Sequence, residues 1–270
     1  MSDAPQKVRL PALASAKSEA RKLAMLTAFD AITARWADHA GVDIVLVGDS
    51  LARSALGRSR EILLTLEEMI HHCAAVARGA RRAFRVGDMP FMSCRVSPEQ
   101  ALANAARVIQ QGHAEAVKLE GGHEMALTVE RLATAGIPVM AHIGLLPQSF
   151  HAQGGYRIQG RLEEDALRLI SDAKTLEAAG AFSIVLEGIP SDLAGRITRE
   201  LTIPTIGIGA GPLCDGQVLV ISDLLGMSPE PTPKLARRQL DLYEQARQAI
   251  QTYVHQVRSG EFPTPENVYE

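Results

Sequence analysis

The sequence has 270 residues and a net charge of −3, with 28 Lys and Arg against 31 Asp and Glu, and 46% of its residues are hydrophobic. This composition supports a sizeable core and lacks the basic excess typical of proteins that bind nucleic acids or anionic membranes. The three cysteines stand in no metal-ligand spacing, so we expect reduced thiols in a cytoplasmic protein. We expect neither a membrane span nor a signal peptide, because the apolar runs are too short.

Short apolar segments alternate with segments of helical periodicity along the chain. Residues 1–21 show no clear period and are interpreted as an N-terminal arm or a loose first helix. The predicted strands are 22–27, 44–48, 84–88, 114–120, 138–142, 182–187, 204–208 and 218–221. The predicted helices are 31–41, 66–79, 98–112, 124–135, 162–179, 191–201 and a polar C-terminal helix at about 234–258.

Three of these helices begin with a recognisable cap. Asp30 is the predicted N-cap of the first, and Thr65 with Glu68 forms a capping box at the start of the second. Ser97 and Gln100 form a similar pair, with proline at the first helical position. These signals fix where the helices start more firmly than hydrophobic periodicity does.

Eight strand segments alternating with helices predict parallel strands joined by right-handed crossovers. The length suits a (β/α)8 TIM barrel, interpreted as a single domain over residues 1–270. An open doubly wound sheet is the structural alternative, but no GxGxxG motif follows the first strand. The long glycine-rich loop 143–160 is typical of a mobile active-site segment.

Four of the predicted strands end on a carboxylate, at Asp49, Asp88, Glu120 and Glu187. In a parallel barrel these strand ends share one rim, where the active site lies. Asp49, Asp88 and Glu120 offer hard oxygen ligands, which favour Mg²⁺ over a transition metal. A 2-oxo acid bound to Mg²⁺ through its carboxylate and keto oxygens would lose the proton on the adjacent carbon more readily, because the metal withdraws charge from the carbonyl.

Three further roles follow from residue type and position. Lys118 lies two residues before Glu120, so both face inward, and its charge could hold an enolate oxygen or form a plain structural ion pair. Glu187 suits a general base, since apolar neighbours would raise its pKa. His142 also ends a strand, where it binds a substrate carboxylate or serves as a core histidine.

Motifs from Lys22 to Pro263 resemble those of the ketopantoate hydroxymethyltransferase family. In chain order they are Gly48-Asp49-Ser50-Leu51, Thr65-Leu66-Glu67-Glu68-Met69-Ile70-His71-His72, Asp88-Met89-Pro90-Phe91, Val117-Lys118-Leu119-Glu120-Gly121-Gly122, His142-Ile143-Gly144-Leu145, Thr205-Ile206-Gly207-Ile208-Gly209-Ala210-Gly211 and Cys214-Asp215-Gly216-Gln217-Val218-Leu219-Val220. Motifs this long and in this order are highly specific.

The resemblance implies a (β/α)8 barrel that uses Mg²⁺ and adds a one-carbon unit from 5,10-methylenetetrahydrofolate to 3-methyl-2-oxobutanoate, in pantothenate and coenzyme A synthesis. It also implies a homo-oligomer, typically a decamer of two pentamers. The residues that it assigns are Asp49, Asp88 and Glu120 to the metal, Asp49, Ser50, Asp88 and Lys118 to the oxo acid, and Glu187 to the base.

The sequence departs from the family's usual pattern outside those ligands and the base. The departures are Ala52-Arg53 for Gly-Met, Arg58-Ser59-Arg60-Glu61 for Tyr-Asp-Ser-Thr, Met92 for Gly, Cys94 for Tyr, Gly188 for Cys, and missing aromatic residues around Pro233-Lys234-Leu235. Arg53, Arg58 and Arg60 follow the first carboxylate, so we expect them either to bind the glutamyl carboxylates of a folate or to be solvated or paired with Glu61 and Glu67.

Two other function classes stay open on the sequence alone. One is a Mg²⁺-dependent 2-oxo acid C–C lyase or aldolase of the phosphoenolpyruvate mutase and isocitrate lyase type, which resembles the predicted enzyme in barrel, metal and substrate class. The other is a non-catalytic binding barrel with inert carboxylates. A folate requirement would separate the first from the transferase, and Mg²⁺ titration with the oxo acid present would test the second.

Overall fold

Eight parallel strands close into a barrel in the order β1 to β8 in the computed structural model, which describes residues 6–269. The strands are β1 (Leu23–Thr27), β2 (Ile44–Val47), β3 (Phe84–Asp88), β4 (Ala116–Glu120), β5 (Val139–Gly144), β6 (Ser183–Glu187), β7 (Thr205–Ile208) and β8 (Gly216–Leu219). Strand β8 pairs in parallel with β1, with Val218 beside Met25, and this pairing closes the ring. The predicted TIM barrel is confirmed, and the open sheet is excluded.

Helices alternate with the strands along the chain. Within the described residues they are α1 (Leu10–Ala14), α2 (Ala31–His39), α3 (Leu51–Ser54), α4 (Leu66–Gly79), α5 (Pro98–Gln110), α6 (Ala126–Thr134), α7 (Phe150–Gln153), α8 (Glu163–Ala178), α9 (Ser191–Glu200), α10 (Ile221–Leu225) and α11 (Leu242–Ser259). The short helices α3, α7 and α10 add to those predicted. None of the helices within residues 6–269 is long and apolar enough to cross a membrane.

The predicted caps form, with one difference. The Asp30 side chain accepts hydrogen bonds from two backbone N–H groups of α2, and the Thr65 capping box is complete. Ser97 accepts from the backbone N–H of Gln100, but the reciprocal bond is missing, and the buried Gln100 Oε1 has no hydrogen-bond partner. The sequence signal therefore located the start of α5 but overstated its cap.

The barrel interior is filled by alternate residues of the strands, because successive side chains of a strand point to opposite faces. Ile44 and Leu46 of β2 belong to one buried cluster with Phe84 and Val86 of β3 and Met140 of β5. Every residue of β2 is buried, which explains its unbroken apolar sequence. The same inward-facing positions continue to the C-terminal ends of the strands, where the candidate site lies.

Contacts divide the chain into two units, the first ending at Val220 and the second beginning at Ile221. In the second unit α11 begins at Leu242, eight residues after the predicted start at 234. The Arg238 guanidinium donates to the backbone oxygens of Ser228 and Glu230 and to the Thr232 hydroxyl. These bonds hold the segment before α11 in a non-helical conformation.

Candidate active site

The inward faces of four neighbouring strands carry the predicted site residues. Asp88 follows Phe84 and Val86 on the inward face of β3, and Lys118 is its register partner on β4. Glu120 is two residues further along β4 and pairs with His142 of β5. The same two-residue period that buries the core therefore brings these polar groups together above it.

Asp49 and Ser50 come from the turn after β2. The backbone N–H of Asp49 donates to Asp88 Oδ2 at 3.2 Å, which ties the ends of β2 and β3 together. The Asp49 side chain is buried, whereas Ser50 is half-buried at the start of α3 and makes no side-chain cap there. The turn thus places one more carboxylate beside Asp88 and a hydroxyl near the rim.

Lys118 and Asp88 form a buried ion pair. Lys118 Nζ donates to both carboxylate oxygens of Asp88, at 2.7 and 2.8 Å. Burial raises the pKa of Asp88 to about 7, although the Lys118 charge works in the other direction. Burial alone would lower the pKa of Lys118, but the charges of Asp88, Asp49 and Glu120 raise it above its usual range. Lys118 is therefore a permanent cation inside the site, and the ion pair predicted as one alternative is present.

His142 lies between two carboxylates. Its Nδ1 is 3.6 Å from Glu120 Oε1, and its Nε2 is 3.3 Å from Glu187 Oε2. Burial and the nearby Lys118 charge hold the pKa of His142 well below its usual range, so the ring is neutral. Burial also raises the pKa of Glu120 well above its usual value, and that of Glu187 to about 8.

Glu187 is the most open of the four carboxylates at the strand ends. Its side chain retains 18% of its exposure, against 1% for both Asp88 and Glu120. The end of β5 approaches Glu187 closely, since the Leu145 N–H donates to the Glu187 carbonyl oxygen at 2.8 Å. A side chain at Gly144 would collide with that carbonyl oxygen, so glycine is required there. The carboxylate is held at the mouth, with a raised pKa that suits a base.

Gln148 was not predicted from the sequence. It lies in the turn of 3₁₀ helix Pro147–Ser149 after β5 and is buried. Its Nε2 donates to Asp49 Oδ2 at 2.9 Å and to the Met89 carbonyl oxygen at 3.0 Å, while its backbone N–H donates to Glu120 Oε2 at 3.1 Å. A single polar side chain in a loop leaves no periodic signal, so only the fold reveals these contacts.

The donor set fits a hard divalent cation. Asp49, Asp88 and Glu120 bring three buried carboxylates to one end of the barrel, with the positive charge of Lys118 paired to Asp88 among them. Glu120 Oε1 is buried and has no hydrogen-bond partner, which is the situation of a carboxylate oxygen that awaits a cation. Within residues 6–269, no group of three or more His, Cys, Asp or Glu side chains is already arranged to hold a metal ion. In this structure Asp49 accepts a hydrogen bond from Gln148, and both carboxylate oxygens of Asp88 accept from Lys118.

The three arginines of the loop after β2 are engaged within the protein. Arg58 binds the Glu68 carboxylate through both terminal nitrogens, Arg53 lies 3.6 Å from Glu61, and the Arg60 guanidinium lies 3.9 Å from the centre of the Phe150 ring. The alternative in which these arginines pair internally is therefore present. The partner of Arg58 is Glu68 rather than the expected Glu67.

Two of the departures from the family pattern have a backbone explanation. Met92, where the family usually has Gly, adopts φ +63°, a left-handed conformation that glycine adopts freely. Gly188, where the family usually has Cys, adopts φ +55°, and a Cβ there would come within 3.0 Å of the Leu145 Cβ. The left-handed backbone at both positions suits glycine, which this chain has at 188 and lacks at 92.

Solved structures share this architecture. A phosphonopyruvate hydrolase in complex with oxalate and Mg²⁺ superposes with a TM-score of 0.63 at 12% identity, over 97% of this chain and 91% of that chain. A 2,3-dimethylmalate lyase of the phosphoenolpyruvate mutase and isocitrate lyase superfamily superposes with a TM-score of 0.59 at 15% identity, over 98% of this chain and 90% of that chain. At these identities the likeness establishes the fold alone.

Sequence relatives are much closer. The 3-methyl-2-oxobutanoate hydroxymethyltransferase of Pelobacter propionicus is 52% identical over 100% of both chains. The enzyme of the same name from Oleidesulfovibrio alaskensis is 53% identical over 94% of this chain and 88% of its own. The family model described as ketopantoate hydroxymethyltransferase matches residues 7–265. The chain therefore belongs to the ketopantoate hydroxymethyltransferase family of transferases, as its motifs predicted.

Proposed function

We propose that this enzyme transfers a hydroxymethyl group from 5,10-methylenetetrahydrofolate to 3-methyl-2-oxobutanoate and forms 2-dehydropantoate for pantothenate and coenzyme A synthesis. Relatives that are 52% and 53% identical to this chain are named 3-methyl-2-oxobutanoate hydroxymethyltransferase. The observation that carries the proposal is the partly open Glu187 carboxylate, of raised pKa, at the mouth above a buried lysine and three further carboxylates. An oxo acid that must lose a carbon-bound proton needs such a base beside such a charge.

Asp49, Asp88 and Glu120 would hold Mg²⁺ in this proposal. When bound, the ion would supply Lewis-acid polarisation of the keto group and would offset the negative charge of the buried carboxylates. The orphaned Glu120 Oε1 is the oxygen most in need of that charge. The half-buried Ser50 hydroxyl at the start of α3 would contact the carboxylate of the oxo acid.

Glu187 acts as the general base. Its carboxylate takes the proton from C3 of the oxo acid, the electron pair of that C–H bond forms the C2=C3 double bond, and the π pair of the carbonyl moves to the keto oxygen to give the enolate. Lys118 stabilises the enolate charge, because its pKa keeps it protonated inside the site. The neutral His142 ring, 3.3 Å from Glu187, orients that carboxylate or donates an N–H to the substrate carboxylate. Water adds to the one-carbon unit of the folate, its C–N bonds break and tetrahydrofolate leaves. The enolate carbon then forms a C–C bond to the released carbonyl carbon, whose oxygen takes the proton held by Glu187 and becomes the new hydroxyl.

Deuterium exchange tests the base without any folate. The protein should exchange the C3 proton of 3-methyl-2-oxobutanoate in deuterium oxide, followed by NMR. Glu187→Gln keeps the size of the side chain but removes the base, and should slow exchange on the order of 100-fold or more. Glu164→Gln on the exposed face of α8 is the matched control and should leave exchange unchanged. Unchanged exchange in Glu187→Gln would contradict the assignment.

The metal and the donor have separate tests. Chelation by EDTA should abolish exchange, and Mg²⁺ should restore it; exchange that survives thorough chelation argues against the carboxylate metal site. Formation of 2-dehydropantoate should require 5,10-methylenetetrahydrofolate. Cleavage of a larger oxo acid in the absence of folate would favour the lyase alternative instead.

We also propose a cytoplasmic homo-oligomer, a decamer by resemblance to the family. Sedimentation of the purified protein would measure its mass directly, and a monomer at micromolar concentration would contradict this part of the proposal.

A further inference from the structure

The buried amide of Gln148 connects three strand ends that carry the proposed metal ligands. The residue is only 5% exposed, and its Nε2 makes both of the hydrogen bonds available to an amide nitrogen. One of these bonds goes to Asp49 after β2, and the other to the backbone of Met89, which directly follows Asp88 of β3. The backbone N–H of the same residue reaches Glu120 at the end of β4.

The chemistry of this contact suits a residue that orients a metal ligand. A carboxylate has two oxygens, and the donor bond to Asp49 Oδ2 fixes the rotation of the carboxylate. Likewise, the backbone N–H occupies Glu120 Oε2, while Glu120 Oε1 has no partner. Both donors are neutral, so the side-chain amide orients Asp49 and the backbone N–H orients Glu120 without adding a charge of either sign. A lysine at this position would compete with a cation, and a glutamate would repel Asp49.

We propose that Gln148 is a positioning residue for the divalent cation: it orients Asp49 and Glu120 so that the remaining oxygens face the same point. This inference rests on the proposed function, because it presumes that the carboxylates hold a metal. Loss of a hydrogen-bond partner that orients a metal ligand typically lowers metal affinity 10- to 100-fold. Gln148 has no direct part in proton transfer, so its effect should be seen first in metal binding.

Direct binding of Mn²⁺ to the chelated full-length protein tests the inference. The electron paramagnetic resonance signal of free Mn²⁺ measures the dissociation constant, and competition with Mg²⁺ shows that both ions use one site. Gln148→Met keeps the length of the side chain and removes the Nε2 bonds to Asp49 and Met89, so it should raise the dissociation constant about 10-fold or more. Gln148→Asn keeps the amide but is one methylene shorter than the 2.9 Å contact allows, so it should show the same loss.

Gln159→Met is the matched control. Gln159 lies in the same loop, and its Nε2 donates to the Arg157 carbonyl oxygen rather than to a carboxylate, so the dissociation constant should not change. Circular dichroism of each metal-free variant checks that the barrel is folded. If Gln148→Met does not fold, Gln148→Asn is used for the test. Saturating Mn²⁺ or Mg²⁺ should restore most of the deuterium exchange in both Gln148 variants, because the base is intact.

The possible results separate the two proposals. A wild-type protein that binds no Mn²⁺ contradicts the metal site itself. Wild-type binding together with a folded Gln148→Met or Gln148→Asn protein of unchanged affinity contradicts only the role of Gln148. Equal loss of affinity in Gln159→Met would also overturn it, since the effect would then belong to the loop in general.

Discussion

A hydrogen bond between Tyr156 and Glu61 fastens the loop after β5 to the loop after β2. Tyr156 Oη donates to Glu61 Oε2 at 2.7 Å, and the Glu61 side chain is 7% exposed. A hydrogen bond to a carboxylate contributes about 1.5–3 kcal/mol. Tyr156 is 44% exposed, so we take values around and below the lower end of this range, about 1–2 kcal/mol. Tyr156→Phe should therefore raise the open population of the loop roughly 5- to 30-fold.

Native-state hydrogen exchange measures this population residue by residue. The backbone N–H groups of Gly155 and Gln159 bond to the Phe150 and Gly188 carbonyl oxygens, and should exchange faster by that factor in Tyr156→Phe. Amides of β5 should not change. Tyr253→Phe, which removes the same hydroxyl from an exposed ring on α11, is the control. A change of less than about twofold at the loop amides would refute the reasoning, because more than half of the lowest expected free-energy effect would be missing.

Three further outcomes follow from single features. Ala20 adopts a left-handed φ of +51°, so Ala20→Gly should stabilise the fold by about 0.5–1 kcal/mol. Ala40, the exposed C-cap of α2, has φ −73°, so Ala40→Gly should destabilise the fold by a similar amount. Urea titration measures both changes. Burial raises the pKa of Cys94 to about 12 and that of Cys73 still further, so both thiols should resist alkylation at pH 8 until the protein is unfolded. Burial also raises the pKa of Glu61, against the influence of its tyrosine and arginine partners. Loop closure should therefore be strongest below the ordinary pKa of 4.5 and should weaken as pH rises through the raised value. Hydrogen exchange of the loop amides, corrected for intrinsic rates, measures this dependence.

Local chemistry made much of this protein predictable. The Asp30 and Thr65 caps are interactions within a few residues, so the sequence that contains them also determines where α2 and α4 begin. The alternation of strand side chains is equally local, and for this reason the inward direction of Lys118 and Glu120 followed from their spacing alone. The family motifs added roles to positions that this periodicity had already brought to one rim.

Other features depend on contacts between distant parts of the chain. The pairing of β8 with β1 closes the barrel, and no local pattern distinguishes a closed ring from an open sheet. The bond from Lys118 to Asp88 requires the register of β3 against β4, and the partners of Gln148 lie at or just after the ends of β2, β3 and β4. Hydrogen bonds of Arg238 likewise delay the start of α11. Sequence determined the local conformations and the direction of each side chain along a strand, because those depend on near neighbours; which side chains meet was decided by tertiary structure, because packing alone sets the register and closure of the sheet.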